Sequence, residues 1–437
     1  MTSRLTSRHD PARPRWLTAT VAMALVLLGP GATGLHADTT ASDWPHWRGP
    51  SGNGTSPDAT PPVEFGPEKL LRWKVAIPGR GSSSPVVLGQ DVHVTTAVPV
   101  AGQAGRFDFR VLCIDRASGQ IRWSRTVVEA VPHEGTHQTN GFASASPCTL
   151  GQRVYAHFGS RGLFCLSRDG EVLWNRDFGD MRIRNGFGEG SSPTLADGMI
   201  LVPWDHEGPS ALYALDAATG KTIWEAPRDE PTCWATPLVV DAPGGGRQVV
   251  MNGQRAARGY DLATGKELWR CGGQTERPCA SAVAADGVAY VASGFRGAFI
   301  GAFDLAARGE LAAGRGVRWT RAQDTPDVAS PLLSGNRIYF YKEKTGLLTC
   351  LDVNTGAPHY ETARIPGVGR TYASPVAAGG HVYLTDRGGV ITVIRDAPQV
   401  EVLATNDMGE GVDATPAPAG NDLFIRGEQH LFCVTRP

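Results

Sequence analysis

From about residue 70 to the C-terminus, apolar residues come in short runs broken by Gly, Asp and Asn. One stretch shows the arrangement. Residues 192–195 read as a first strand, turned by Ala196, Asp197 and Gly198; 199–203 read as a second strand and 211–216 as a third. A turn over 217–221 leads to a fourth strand at 222–225, which carries Trp224. Short apolar runs bounded by turn residues predict hairpins. Nothing in this stretch has the period of a helix.

The same sentence recurs along the chain. Ser84-Pro85, Ser146-Pro147, Ser192-Pro193, Thr236-Pro237, Ser330-Pro331, Ser374-Pro375 and Thr415-Pro416 open successive units, and Ser281-Ala282 opens one more. Trp73, Trp123, Trp174, Trp224, Trp269 and Trp319 recur at a matching phase, with Tyr360 in that place once. A strand-rich period of about 40–50 residues predicts a propeller. Gly220, Gly265 and Gly356 follow a threonine in turns that need positive φ. Asp216, Asp261 and Asp352, with Asp115 and Asp304 in the same phase, are read as turn-forming acceptors. The last unit ends without a tryptophan strand, and residues 70–75 offer one before the first Ser-Pro. The expected fold is therefore all-β: an eight-bladed β-propeller of four-stranded antiparallel blades, closed by the N-terminal strand.

Composition changes this picture little. The formal charge is -1 over 437 residues, with no basic stripe, so nucleic acid is not an expected partner. Residues 1–37 have a basic head, a short apolar run and small residues, the pattern of a secretory signal peptide. Residues 38–68, with Trp44 and Trp47, are expected to be irregular chain packed on one face of the propeller at 69–437. Localisation is expected to be periplasmic or secreted, and no cysteine in the leader offers a lipid anchor. Cys113, Cys165, Cys350 and Cys433 sit inside apolar strands and read as core. Cys271 and Cys279 are close enough in sequence for a bridge, which is left open.

Candidate chemistry lies in the connections between blades, which cross the disc toward the central channel. They bring His137, Asn140, Asn185, Glu189, Trp234, Arg277, Asp327, Arg370, Tyr372 and Glu410 to one mouth, the expected ligand- or partner-binding set. Trp234 and Tyr372 are available for stacking. No catalytic residue is assigned. No His or Cys spacing suits a metal, and the adjacent Asp205, His206 and Glu207 would point different ways on a strand.

The segments 212–224 and 259–269 resemble the tryptophan-docking repeat of pyrroloquinoline-quinone-type propellers. The opening Trp44-Pro45-His46-Trp47-Arg48-Gly49-Pro50 is similar to the start of secreted members from planctomycete-type bacteria. The resemblance implies two branches. One comprises quinoprotein dehydrogenases that hold the quinone and calcium over the channel; the alcohol-oxidising ones use a disulfide between adjacent cysteines, which this chain lacks. The other is the propeller lipoprotein of the outer-membrane β-barrel assembly machinery, a scaffold. The expectation is a monomeric, non-enzymatic propeller without cofactor, binding a protein or extracellular polymer, with possible outer-membrane association. Alternatives are a quinone- and calcium-dependent alcohol or sugar oxidoreductase, with Asn185, Glu189, Arg277 and Asp327 facing the cofactor, and a carbohydrate-binding propeller.

Overall fold

A four-stranded unit with apolar residues on both faces must be covered on both sides, and a ring of such units covers every face at once. The computed structural model describes residues 42–342 and 344–437 and shows that ring. The predicted signal peptide lies outside the described residues. Blade 3 is typical: Thr194–Ala196, Met199–Trp204, Ser210–Asp216 and Thr222–Arg228 form an antiparallel meander. Blades 1 and 2 span 86–130 and 148–176. Blades 4 to 7 span 238–271, 283–321, 332–364 and 376–407. Blade 8 takes three strands from 417–435 and its outer strand, Leu71–Ala76, from the N-terminal side. Leu71–Ala76 runs antiparallel to His430–Thr435, with Trp73 opposite Cys433, so the ring closes by strand pairing. No helix among the described residues is long and apolar enough to cross a membrane.

The repeated tryptophans join neighbouring blades. The indole N–H of Trp73, Trp123, Trp174, Trp224 and Trp319 donates to the carbonyl of Arg116, Arg168, Ala217, Leu262 and Val353 in the next blade. Each ring lies on the turn glycine of that blade; at Gly265, φ is +72° and an added Cβ would meet Trp224 at 2.5 Å. Trp269 departs from the rule. Its N–H donates 2.9 Å to Gln248 Oε1 in its own blade, and Gln248 Nε2 donates 2.7 Å to the Leu305 carbonyl of blade 5. Gln248 thus bridges what the other tryptophans span directly. The ring packs instead over Gly259, where a Cβ would meet it at 2.1 Å. Blade 5 also carries an insertion, from which Gly309–Glu310 pairs parallel to Glu267–Cys271 along the outer edge of blade 4.

The Ser/Thr that opens each unit links neighbouring blades. Its hydroxyl accepts a hydrogen bond from the backbone N–H of its counterpart in the preceding blade. The chain of bonds runs Ser84 to Ser146, Ser192, Thr236, Ser281, Ser330, Ser374 and Thr415, and Thr415 N–H returns to Ser84, all at 2.9–3.2 Å. This closed belt surrounds the channel. It explains why Ser281 keeps its hydroxyl although its proline is gone.

Residues 42–62 seal one end. Trp44 pairs with Val87 of blade 1, and Pro45 O accepts from Thr149 N of blade 2. His46 bonds Thr194 of blade 3, and Gly52 lies against Leu238 of blade 4. Asn53 exchanges two side-chain bonds with Ala284 of blade 5, and its carbonyl accepts from Leu333 N of blade 6. Thr55–Ser56 adds a parallel strand inside blade 7, and Thr60 bonds Gly420 and Asn421 of blade 8. At the centre Arg48, 1% exposed, donates to the carbonyls of Pro331, Pro375 and Asn53. None of the eight cysteines forms a disulfide; Cys113, Cys165, Cys350 and Cys433 are buried core.

Candidate functional site: the channel mouth

With one end sealed, the channel is a cavity of about 460 Å³ that opens only between the inter-blade loops. Its wall combines the belt hydroxyls with Trp47 from the seal, and with Phe187, Trp234 and Tyr372 from the loops. Among the described residues four cations line it, Arg277, Lys344, Arg370 and Arg387, against two carboxylates, Asp327 and Asp413.

Each side chain is positioned by its own loop. Trp234 follows a segment pinned by a buried ion pair between Glu230 and Arg258, with Arg255 N and Ala256 N also donating to Glu230. Its backbone N–H donates to Pro278 O and its indole N–H to Gly188 O, which ties three loops together. Arg277 sits at φ +45° and lays its guanidinium 3.4 Å from the Phe295 ring centroid, with Asp327 at 3.4 Å. Burial raises the Asp327 carboxyl above its usual range, and Arg277 and Lys344 oppose that. Across the mouth, His137 Nδ1 lies 3.2 Å from Thr139 N and 2.8 Å from Thr139 Oγ1. Thr139 Oγ1 donates 3.3 Å to the Tyr372 hydroxyl; the Arg387 guanidinium lies 4.2 Å from the Tyr372 ring centroid and pairs twice with Asp413, at 2.6 and 2.9 Å.

Among the described residues four polar atoms of this lining are buried without a hydrogen-bond partner: Trp47 Nε1, Arg277 Nε, Asp327 Oδ1 and Thr371 Oγ1. A buried polar atom left unpaired costs about 1–3 kcal/mol. Four around one cavity are what a polar ligand or ordered water would satisfy.

Of the ten residues expected at the mouth, seven line the cavity: His137, Asn140, Trp234, Arg277, Asp327, Arg370 and Tyr372. Asn140 is committed to structure, bonding Phe187 O, Glu189 O, Gly141 N and Ser144 Oγ. Its sequence twin Asn185 stands exposed in a turn at φ +56°. Glu189 turns behind the wall, where Ser160 N and Oγ donate to it and burial raises its carboxyl. Glu410 accepts from Gln429 N, His430 N and His430 Nδ1 within blade 8. Sequence reasoning missed Lys344 and Arg387, which sit on turns between the second and third strands of blades 6 and 7. Only the outer-to-inner connections had been expected to reach the mouth. Trp47 also went unassigned, since its place depends on how the seal crosses the disc.

Comparison with known proteins agrees on the fold. BamB from Moraxella catarrhalis is 14% identical, with a TM-score of 0.55, covering 83% of this chain and 96% of its own. The quinohemoprotein alcohol dehydrogenase from Comamonas testosteroni is 13% identical, with a TM-score of 0.60 and coverage of 91% and 81%. A europium-containing methanol dehydrogenase is 11% identical, with a TM-score of 0.52 and coverage of 90% and 91%. No curated protein sequence matches the chain. The profile of a protein family described as outer membrane protein assembly factor BamB matches residues 68–189 and 108–362, more than half of the chain. The ring of tryptophan-docked blades and the reach of that match lead to one conclusion: the chain belongs to this family of PQQ-like, BamB-like β-propellers.

Proposed function

We propose that the channel mouth is a small-molecule site for a flat, anionic ligand, the chemical class of a quinone carboxylate cofactor. The observation that carries this reading is the sealed channel. A cavity open at one end, of about 460 Å³, falls in the range of small-molecule sites. A surface evolved only to dock a protein needs no such depth. The rings of Trp234 and Tyr372 suit a planar ligand, and the surplus of cations suits its carboxylates. Arg370 and Lys344 are exposed and form no ion pair among the described residues, while Arg277 and Arg387 already pair with Asp327 and Asp413.

These residues fit pyrroloquinoline quinone. When bound, that group supplies a two-electron acceptor; the chain's own contribution would be to bind and orient it. They do not fit its usual calcium: among the described residues no three His, Cys, Asp or Glu side chains come together to hold a metal. No metal-dependent step is derived. The signal-peptide pattern read in residues 1–37 supports placement in the periplasm or outside the cell.

The test is titration of the purified chain with pyrroloquinoline quinone, followed by tryptophan fluorescence. Saturable quenching is expected, weakened about tenfold or more by Arg370→Ala with Lys344→Ala, since each charge-assisted bond contributes roughly 1.5–3 kcal/mol. Dye-linked oxidation of alcohols and sugars, with and without calcium, then separates binding from turnover. Absence of quenching by the quinone sinks the reading. The family match favours a second one, in which the same cations dock an acidic segment of an outer-membrane partner. Under it, the double variant loses a protein partner while the quinone never binds.

A further inference from the structure

Below the mouth, in the part we call the neck, the cavity is lined by the belt of Ser/Thr hydroxyls. A hydroxyl has one O–H donor and two acceptor positions. Each belt oxygen uses acceptor capacity on a backbone N–H, and among the described residues none of the eight donates to a protein acceptor. Six of them line the cavity. Trp47 lines it too, and its indole N–H, a donor only, is buried and unpartnered.

Directly beyond lies an uncompensated cation. Arg48 bonds the carbonyls of Pro331 and Pro375, the residues that follow belt members Ser330 and Ser374, and its guanidinium lies 5.5 Å from the Trp47 ring centroid. It pairs with no carboxylate among the described residues, and burial lowers its pKa to about 9. Among the described residues the carboxylates lining the cavity are Asp327 and Asp413, which sit at the mouth and are engaged by Arg277 and Arg387. The neck therefore offers O–H and N–H donors beside a buried positive charge, with no acidic group of its own. In a low-dielectric setting that arrangement favours a compact anion.

We propose that the neck is an anion seat, in which belt hydroxyls and the Trp47 indole N–H together donate to one compact anion beside the Arg48 charge. The anion is either a free halide or a carboxylate of the ligand that fills the mouth. The halide form stands without the reading of the mouth given above; the carboxylate form rests on it.

Crystals of the whole chain soaked in stepped concentrations of sodium bromide test this by anomalous diffraction. A bromide peak inside the belt is expected, with half-occupancy shifted about tenfold higher in Trp47→Phe, which removes one donor to an anion and keeps the ring. Arg370→Ala with Lys344→Ala should leave that peak in place. Peaks confined to the mouth cations, or no peak in the neck at saturating bromide, overturn the proposal. A half-occupancy unchanged in Trp47→Phe overturns the indole's part in it. Quinone titration at high and low bromide separates the sources. Competition assigns the seat to the ligand's carboxylate, and independence assigns it to the free ion. Failure of the quinone to bind at all, with the neck peak present, removes only the reading of the mouth.

Discussion

Two of the histidines that burial holds neutral, His93 and His157, help set how this protein meets acid. His93 and His157 are 1% and 2% exposed, and burial pushes both down to about 4. In the unfolded chain they titrate near 6.5. The folded state therefore holds them neutral where the unfolded chain takes up protons. Their contribution is complete above pH 6.5 and is lost as pH falls toward 4, by about 3 kcal/mol each at most. The guanidinium midpoint should drop steadily from pH 7 to 5, and His157→Gln should flatten part of that slope. A midpoint constant over this range would show that the imidazoles are not buried neutral. Nothing in the sequence marked these residues, because each histidine's burial depends on the blade packed over it. The turn aspartates were legible, since their partners lie two or three residues away: Asp216 accepts from Thr219 and Asp352 from Asn354 and Thr355. Asn140-Gly141-Phe142 and Asn185-Gly186-Phe187 show the opposite case. Asn140 and Asn185 share a local sequence, but Asn140 bonds the backbone of the other motif's loop while Asn185 faces solvent.

At the scale of elements, the blades follow from alternating short strands and turns, and their exceptions from what is inserted between them. The insertion in blade 5 covers the edge of blade 4 and is accompanied by the one tryptophan that docks within its own blade. Gln248, 1% exposed, is then the only link from Trp269 to the Leu305 carbonyl. Gln248→Ala should cost about 2–4 kcal/mol, because a buried N–H and a buried carbonyl both lose their partner. Urea unfolding measures this; a loss under about 1 kcal/mol would mean that water replaces the bridge. The seal is also an element whose composition was readable and whose path was not. Two tryptophans announced that residues 44–47 would seek cover, but no local signal says that Arg48 will reach the carbonyls of blades 6 and 7.

For the molecule as a whole, closure is the decisive event. Pairing of Leu71–Ala76 with His430–Thr435 covers the edge of an otherwise three-stranded blade 8, an edge that would invite aggregation. A chain starting at residue 77 should be recovered largely as aggregate, and a synthetic peptide of residues 69–77 added during refolding should restore soluble protein. Soluble, cooperatively folding protein without that peptide would show that the belt and the remaining blades close the ring unaided. Repeat number, blade make-up and the place of closure were all in the sequence, because each unit carries its own strands, turns and docking tryptophan. The sealed cavity, its surplus of cations and the unpartnered atoms facing it were decided only by tertiary structure. They depend on residues as far apart as Trp47, Arg277 and Arg387, which no local pattern relates and which meet only because eight similar sheets must close on a common axis.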